Sequence, residues 1–183
     1  MLRIIGGSWR GRTWRFPEGD IRPTPDRVRE TLFNWLAPAI AGARCLDLFA
    51  GSGALGLEAL SRGALQVVFV EKSANAAREL RQTLQLWGGE RAAAGVVQVA
   101  DAHAFLAGNA DPFNVVFLDP PFAGGLLAEA AARLQAGGWL APGALIYAEC
   151  PARTALPPLP ESWRVAKSGK AGEVGYHLLR RNP

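Results

Sequence analysis

Only two cysteines, Cys45 and Cys150, occur in the 183 residues. They lie far apart with no ligand-type spacing around either, which excludes a disulfide scaffold and a zinc finger, and no metal site is expected. No uninterrupted apolar run approaches the ~18 residues that a membrane helix needs. The N-terminus, MLRIIGGSWRGR, has arginines but no apolar stretch leading to a small-residue cleavage site. A secretory leader is therefore not expected, and a cytoplasmic protein is. There is no internal repeat and no low-complexity tract. An apolar fraction of 49% is too high for a disordered chain, and the length suits one soluble globular domain.

The net charge of +4 is unevenly spread. Residues 1–44 carry eight arginines against Glu18, Asp20, Asp26 and Glu30. Residues 45–160 carry seven basic and ten acidic side chains, and residues 161–183 carry five basic and two acidic. A mildly acidic middle with basic ends suggests a domain whose termini face a polyanion. Basic tails that merely aid solubility have the same composition.

From Arg44 onward, apolar and amphipathic runs alternate. Strands are predicted at 44–49, 64–71, 94–101, 113–119 and 144–150, each apolar across both faces. Helices are predicted at 54–62, 73–87, 102–108 and 126–135. This pattern predicts a mostly parallel, doubly wound α/β domain with helices on both sides of the sheet. The ends depart from the rhythm. Residues 3–16 read as two short strands around a turn rich in Gly, Ser and Arg. Residues 24–40 read as a helix with Thr24 as N-cap and Pro25 at the first helical position. After a proline-rich connection at 154–162, two strands joined by SGKAG (168–172) predict a terminal antiparallel hairpin. The expected division is an N-terminal extension, 1–43, and an α/β domain, 44–183.

The first strand of that domain runs into DLFAGSGALGLEAL (47–60), in which Gly51, Gly53 and Gly56 form G-x-G-x-x-G at a strand-to-helix turn. Glu71 ends the next strand. This is the arrangement in which a nucleotide-type ligand meets the backbone and an acid holds its ribose hydroxyls. Asp47 discriminates between ligands. A pyrophosphate at a helix N-terminus is repelled by a carboxylate placed just before the loop, whereas the sulfonium and ammonium of S-adenosylmethionine are attracted. Asp101, at the end of the third strand with Ala102 beside it, is placed to accept from an adenine amino group or to cap the helix at 102–108. Both roles can hold at once.

The fourth strand ends in Asp119-Pro120-Pro121-Phe122. Two prolines cannot continue a central ladder, so the chain leaves the sheet there, beside the crevice at the strands' carboxyl ends. An exocyclic amine on a nucleobase is a poor nucleophile because its lone pair is delocalised into the ring. Acceptors that bind both amino hydrogens favour the pyramidal nitrogen of the transition state. The Asp119 side chain and the Pro120 carbonyl can supply them, and Phe122 can stack on an extruded base. No cysteine follows the proline pair, so covalent attack on a pyrimidine ring carbon is not indicated. Cys150 reads as a buried structural thiol.

These motifs, together with RIIGGSWRGR (3–12), RPTPDRVRETLFNWL (22–36), CLDLFAGSGALGLEALSRGA (45–64) and GEVGYHLL (172–179), make the sequence resemble the RsmD-type bacterial methyltransferases of 16S ribosomal RNA. The glycine loop and DPPF are shared with many amino-methyltransferases; the two N-terminal segments narrow the resemblance to this family. It implies a class I methyltransferase fold, with a seven-stranded sheet whose last pair forms an antiparallel edge. It implies S-adenosylmethionine as cofactor and N2-methylation of a guanine, position 966 in the usual rRNA numbering, by direct transfer to a flipped base. The partner implied is 16S rRNA in an assembled or assembling small ribosomal subunit. Asp119, Pro120 and Phe122 would form the amine site, with Pro121 completing the turn. The segment around Arg22, Thr24 and Asn34 would close over the methionine end of the cofactor.

The stretch after DPPF is needed to complete the sheet and leaves no room in this chain for a separate target-recognition domain. RNA recognition is therefore expected from the basic ends, with Arg3, Arg10, Arg12 and Arg15 on phosphates. Trp9 and Trp14 either stack on bases or, more ordinarily, pack the hairpin onto the domain. A monomer is expected. Adenine-N6 methylation of DNA or RNA is the near alternative, since DPPF does not choose the base. A nucleotide-dependent oxidoreductase is opposed by Asp47 and DPPF, and a non-catalytic RNA-binding module by the intact motifs.

Overall fold

Strands that are apolar on both faces need cover on both sides, and the chain supplies it by winding helices onto each face of one sheet. The computed structural model describes residues 1–17, 19, 22–122 and 125–183. Glu18 and Asp20, counted above among the N-terminal acids, lie outside them. Two short strands, β1 (Leu2–Arg3) and β2 (Thr13–Trp14), pair antiparallel, and α1 (Asp26–Ile40) follows. The main domain then runs β3 (Arg44–Asp47), α2 (Ala54–Ser61), β4 (Gln66–Glu71), α3 (Ala74–Trp87), α4 (Gly89–Ala93), β5 (Gly95–Val99), α5 (Ala102–Leu106) and β6 (Phe113–Leu118). It ends with α6 (Leu126–Ala136), β7 (Leu140–Pro151), β8 (Trp163–Ala171) and β9 (Val174–Arg181).

The seven-stranded sheet has the order β5-β4-β3-β6-β7-β9-β8. Strands β3 to β7 are parallel, and β9 is antiparallel to both β7 and β8. This is the class I methyltransferase architecture. Strand order reverses between β3 and β6, which opens a crevice at their carboxyl ends. One face of the sheet buries Leu32, Phe33, Leu57, Phe69 and Phe117 among helices α1 to α3. The other buries Val116, Leu134 and Ile146 beneath α5 and α6.

Four local expectations are corrected. Strand β5 is not covered on both faces: it is an edge strand, and Val96 and Val99 are exposed. A short helix, α4, occupies a connection that has no helical period. The terminal hairpin turns at Gly172-Glu173 rather than across SGKAG, because Ala171 pairs with Val174 and Ser168 with His177. A two-residue turn then falls on Gly172, whose φ of 58° costs glycine little. Finally, Pro25, not Thr24, is the N-cap of α1, and no side chain caps that end. The Thr24 hydroxyl is engaged elsewhere.

The N-terminal extension is held onto α2. Ile5 N–H and Gly6 N–H donate to the Glu58 carboxylate (3.0 and 2.8 Å). Trp9 N–H donates to Ser61 Oγ, which itself donates to the Gly6 carbonyl. Trp9 and Trp14 are buried and meet Trp87 edge-on, with ring centroids 5.0 and 5.7 Å apart. Their faces are thus spent on packing the hairpin, the second of the two roles considered for them. Cys45 and Cys150 are buried free thiols. Among the described residues, no helix is long and apolar enough to cross a membrane.

Candidate active site

Strand register brings five acids to the carboxyl end of the parallel strands. Asp47, the last residue of β3, pairs with Phe69 of β4 and with Phe117 of β6. Glu71 and Asp119 therefore lie two residues further along on either side of it. Glu71 in turn pairs with Val99, two residues before Asp101. Leu118 pairs with Ala148, which sets Asp119 next to Glu149 on the face shared by Phe117 and Tyr147. Parallel strands in near-common register account for this row: four of the carboxylates sit at or just past the end of their strand, and Glu149 sits two residues before the end of β7.

The glycine loop shows why its residues are small. Gly53 has φ 79°, and a Cβ there would meet Leu80 Cδ1 at 2.6 Å. At Gly56 a Cβ would lie 2.1 Å from the Phe69 ring, so glycine lets α2 pack against β4. Two amides of the motif are already occupied by carboxylates. Gly51 N–H donates to Glu71 Oε2 (2.7 Å), and Gly56 N–H, in the first turn of α2, donates to Asp47 Oδ2 (3.0 Å). A pyrophosphate would need such amides free, whereas a cationic sulfonium and ammonium benefit from carboxylates placed there. The donor set therefore fits S-adenosylmethionine and not a dinucleotide.

Asp47 is almost wholly buried, and burial raises its carboxyl to about 7; the Gly56 bond opposes the shift and Glu71 adds to it. Asp101 caps α5 by accepting from His103 N–H and Ala104 N–H through Oδ1. The residue is exposed, and Oδ2 takes no part in the cap, so the capping role leaves the other possible. Ala102 beside it is buried.

Beyond β6, Pro120 is buried while Pro121 and Phe122 are exposed, and Phe122 keeps 51% of its surface in solvent. An aromatic ring so exposed is available to stack. Behind it, Thr24 Oγ1 lies 2.9 Å from Glu149 Oε1 and 3.4 Å from Asp119 Oδ2. Tyr147 Oη donates to the same Glu149 Oε1 (2.6 Å). Burial, then the neighbouring Glu149, push the Asp119 carboxyl well above the usual carboxylate range.

A family model described as Conserved hypothetical protein 95 matches residues 2–180. Ribosomal RNA small subunit methyltransferase D of Escherichia coli K12 is 48% identical over 98% of this chain and 90% of its own length. Its namesake in Haemophilus influenzae is 44% identical over 98% and 93%. The chain belongs to the RsmD-type methyltransferase family. Among solved structures, a putative methyltransferase, yhhF, from Escherichia coli superposes with a TM-score of 0.92 at 47% identity, covering 99% of this chain and 98% of that one. An RNA methyltransferase from Salinibacter ruber, solved with S-adenosyl-L-homocysteine, shares the fold at 16% identity, with a TM-score of 0.67 over 88% and 94% of the two chains.

In this RsmD-type methyltransferase, Thr24 joins the crevice through its contacts with Asp119 and Glu149, and Arg22 lies exposed just before it. Asn34 does not join them. It lies on the exposed side of α1, opposite Val28, Leu32 and Leu36, and roughly 12 Å down the axis from Asp26 at ~1.5 Å per residue. The helical period that buries the other side turns it outward. Arg3, Arg10, Arg12 and Arg15 are all exposed, but two are engaged. Arg3 pairs with Asp26 (2.7 Å), and Arg12 donates to the Trp87 carbonyl and lies over the rings of Trp9 and Trp87.

Four residues of this RsmD-type enzyme's framework are not distinguished by the sequence pattern. Glu149 and Tyr147 lie in a predicted strand, and an acid ending an apolar run, as at Glu71, was the available signal. Arg29 and Glu58 are wholly buried charged residues within helices, where nothing in the helical pattern sets them apart. A shallow cavity of about 330 Å³, lined by Ala39, Asn114, Pro142 and Arg180 among others, lies at the opposite end of the sheet from the row of acids.

Proposed function

We propose that this protein methylates the exocyclic N2 amine of a guanine in 16S ribosomal RNA. The coarser activity, S-adenosylmethionine-dependent methylation of ribosomal RNA, follows from membership of the family and from a glycine motif in which the Gly51 and Gly56 amides are taken by carboxylates. When bound, S-adenosylmethionine supplies an electrophilic methyl group whose C–S electron pair departs with a neutral thioether. The chain's own residues supply the rest. Glu71 holds negative potential at the loop, to which Asp47 adds when ionised; Glu71 meets the ribose diol, and Asp101 and Ala102 border the adenine. Arg22 stands exposed at the mouth of the crevice on the methionine side, and Thr24, buried two positions on, braces that segment from behind through Asp119 and Glu149.

Asp119 and the Pro120 carbonyl take the two amine hydrogens, and Phe122 stacks on the flipped guanine. The observation that carries this reading is the half-buried Asp119 followed three positions on by an exposed aromatic ring, at the switch point of the sheet. Arg10 and Arg15, with Arg3 and Arg12 beside them, contact phosphates of RNA held in the assembled or assembling small subunit, on which the enzyme acts as a monomer.

The test is incubation of the enzyme and labelled cofactor with small subunits lacking the modification, followed by mapping of the methylated nucleotide. N2-methylguanine at one position is expected. Label on adenine N6 would overturn the choice of base, and no transfer to ribosomal RNA would overturn the activity.

A further inference from the structure

Methyl transfer to an amine leaves one proton too many on nitrogen, and the crevice has an arrangement suited to removing it. Asp119 faces the crevice, while Thr24 and Glu149 lie behind it, each only 5% exposed. A hydroxyl has one proton to donate. Thr24 Oγ1 is 2.9 Å from Glu149 Oε1 and 3.4 Å from Asp119 Oδ2, so it donates to the first. Its contact with Asp119 is then attractive only when Asp119 carries a proton that Oγ1 accepts. Tyr147 Oη donates to Glu149 as well (2.6 Å), and two hydroxyl donors on Oε1 suit an ionised carboxylate. The resting row is therefore Asp119–COOH, the Thr24 hydroxyl and Glu149 carboxylate.

Resting on the proposed function, we infer that Glu149 is the terminal acceptor of the proton released by the methylated amine, received from Asp119 across the Thr24 hydroxyl. The nitrogen lone pair forms the new N–C bond as the C–S bond breaks with its electron pair retained on sulfur. The surplus amine proton moves to the free carbonyl oxygen of Asp119. The Asp119 hydroxyl proton passes to Thr24 Oγ1, and the Thr24 proton passes to Glu149. The positive charge lost from sulfur thus ends by neutralising Glu149, and no bulk water or external base takes part. Asp119 touches the amine, while Glu149 acts through it.

Tyr176 from β9 and Asp47 from β3 face the pair, as does Tyr147 from β7 itself. Cys150 lies next along β7, on the opposite face of the sheet. On the α1 side the buried cation is Arg29, whose Nε donates to the Thr24 carbonyl (3.2 Å) and whose charge is matched by Asp26 and Glu58. Burial and then Glu149 raise the Asp119 carboxyl, which favours the protonated form the relay uses, while the Thr24 hydrogen bond opposes the shift.

The test uses Glu149→Gln, which keeps the shape and the two accepted bonds, and Thr24→Val with Thr24→Ser as its conservative partner. Turnover with small subunits should fall by about 100-fold or more in Glu149→Gln and Thr24→Val, the scale of general acid–base catalysis, with KM for the cofactor little changed. Thr24→Ser should recover most of the rate, and the acid limb of the wild-type kcat profile should move to lower pH in Glu149→Gln. In the ligand-free enzyme, carbon NMR of labelled aspartate should show the Asp119 titration moving to lower pH in Glu149→Gln. Wild-type kcat in either Glu149→Gln or Thr24→Val overturns the inference, as does a loss confined to KM or an unmoved Asp119 titration. A wild-type enzyme that transfers no methyl group to the subunit would instead overturn the proposed function.

Discussion

Arg29 and Glu58 meet with 3.6 Å between Nη1 and Oε2, and both side chains are wholly buried. Burial lowers the Arg29 pKa, and Asp26 and Glu58 oppose that shift. Around this ion pair the N-terminal extension joins the main domain. Arg29 also donates to the Arg3 and Thr24 carbonyls, and Glu58 accepts from Ile5 N–H, Gly6 N–H and Arg62 Nε.

Glu58→Ala leaves a buried guanidinium short of countercharge and two backbone amides without acceptors. It should cost about 3–5 kcal/mol, the usual result of breaking a buried pair from one side. Urea unfolding measures this directly, and a loss below about 1 kcal/mol would refute the account.

Gly56→Ala drives a methyl group into the Phe69 ring, which β4 holds in the core. A loss of about 1–3 kcal/mol is expected from overpacking, with weakened cofactor binding as α2 shifts. Gly42→Ala is the comparison: its φ is positive, at 75°, unlike that of Gly56, but nothing lies within 4 Å of the added atom. It should suffer only backbone strain and leave cofactor affinity unchanged. Equal effects of the two substitutions on calorimetric cofactor affinity would contradict the packing argument.

Asp47 makes stability depend on pH. Its native pKa of about 7 lies above its unfolded value, so its contribution is fully present below about pH 4 and is lost as pH rises through about 7. That loss amounts to about 4 kcal/mol at roughly 1.4 kcal/mol per unit. Asp47→Asn can still accept from Gly56 N–H but does not ionise. Its stability relative to wild type should therefore be greater at about pH 8 than at about pH 5. Thermal unfolding at the two pH values tests this, and a difference that does not change with pH would exclude the buried ionisation.

Trp14 donates its indole N–H to the Ser52 carbonyl within the glycine loop (3.0 Å). Trp14→Phe keeps most of the packing and loses that bond, worth about 1 kcal/mol. Cofactor affinity should fall several-fold although Trp14 lies outside the proposed ligand contacts. Unchanged affinity by calorimetry would show that the hairpin does not support the loop.

Arg10 and Arg15 are exposed on the extension. Replacing both with Ser should weaken RNA binding and reduce the slope of log K against log salt by about 1.4–1.8, since each phosphate left without its arginine removes roughly 0.7–0.9. Cofactor affinity should not change. Binding measured across a salt series decides this, and an unaltered slope would remove these two arginines from the interface.

The order of strands and helices, the glycine loop and the DPPF exit were legible in the sequence because each depends on local rules. Period and turn chemistry mark the elements, and proline and glycine mark the places where a ladder stops or a backbone must approach closely. Local rules also placed Asp47, Glu71, Asp101 and Asp119, since each ends an apolar run. They failed at Thr24, which has the form of an N-cap but spends its hydroxyl on carboxyls supplied by β7 and the end of β6. Asn34 came from the resemblance alone, and motif membership says nothing about which side of α1 faces the sheet; the helix turns Asn34 to its exposed side.

The sequence by itself determined the family, the class of fold and the type of cofactor, since these reside in short contiguous motifs. Only the tertiary structure decided which acids become neighbours. Asp119 and Glu149 are thirty positions apart, and it is the pairing of Leu118 with Ala148 that sets them side by side. The same holds for Arg29 and Glu58, joined across α1 and α2. A buried charge is stable only beside its partner, and that partner is chosen by strand register and helix packing, which no local pattern encodes.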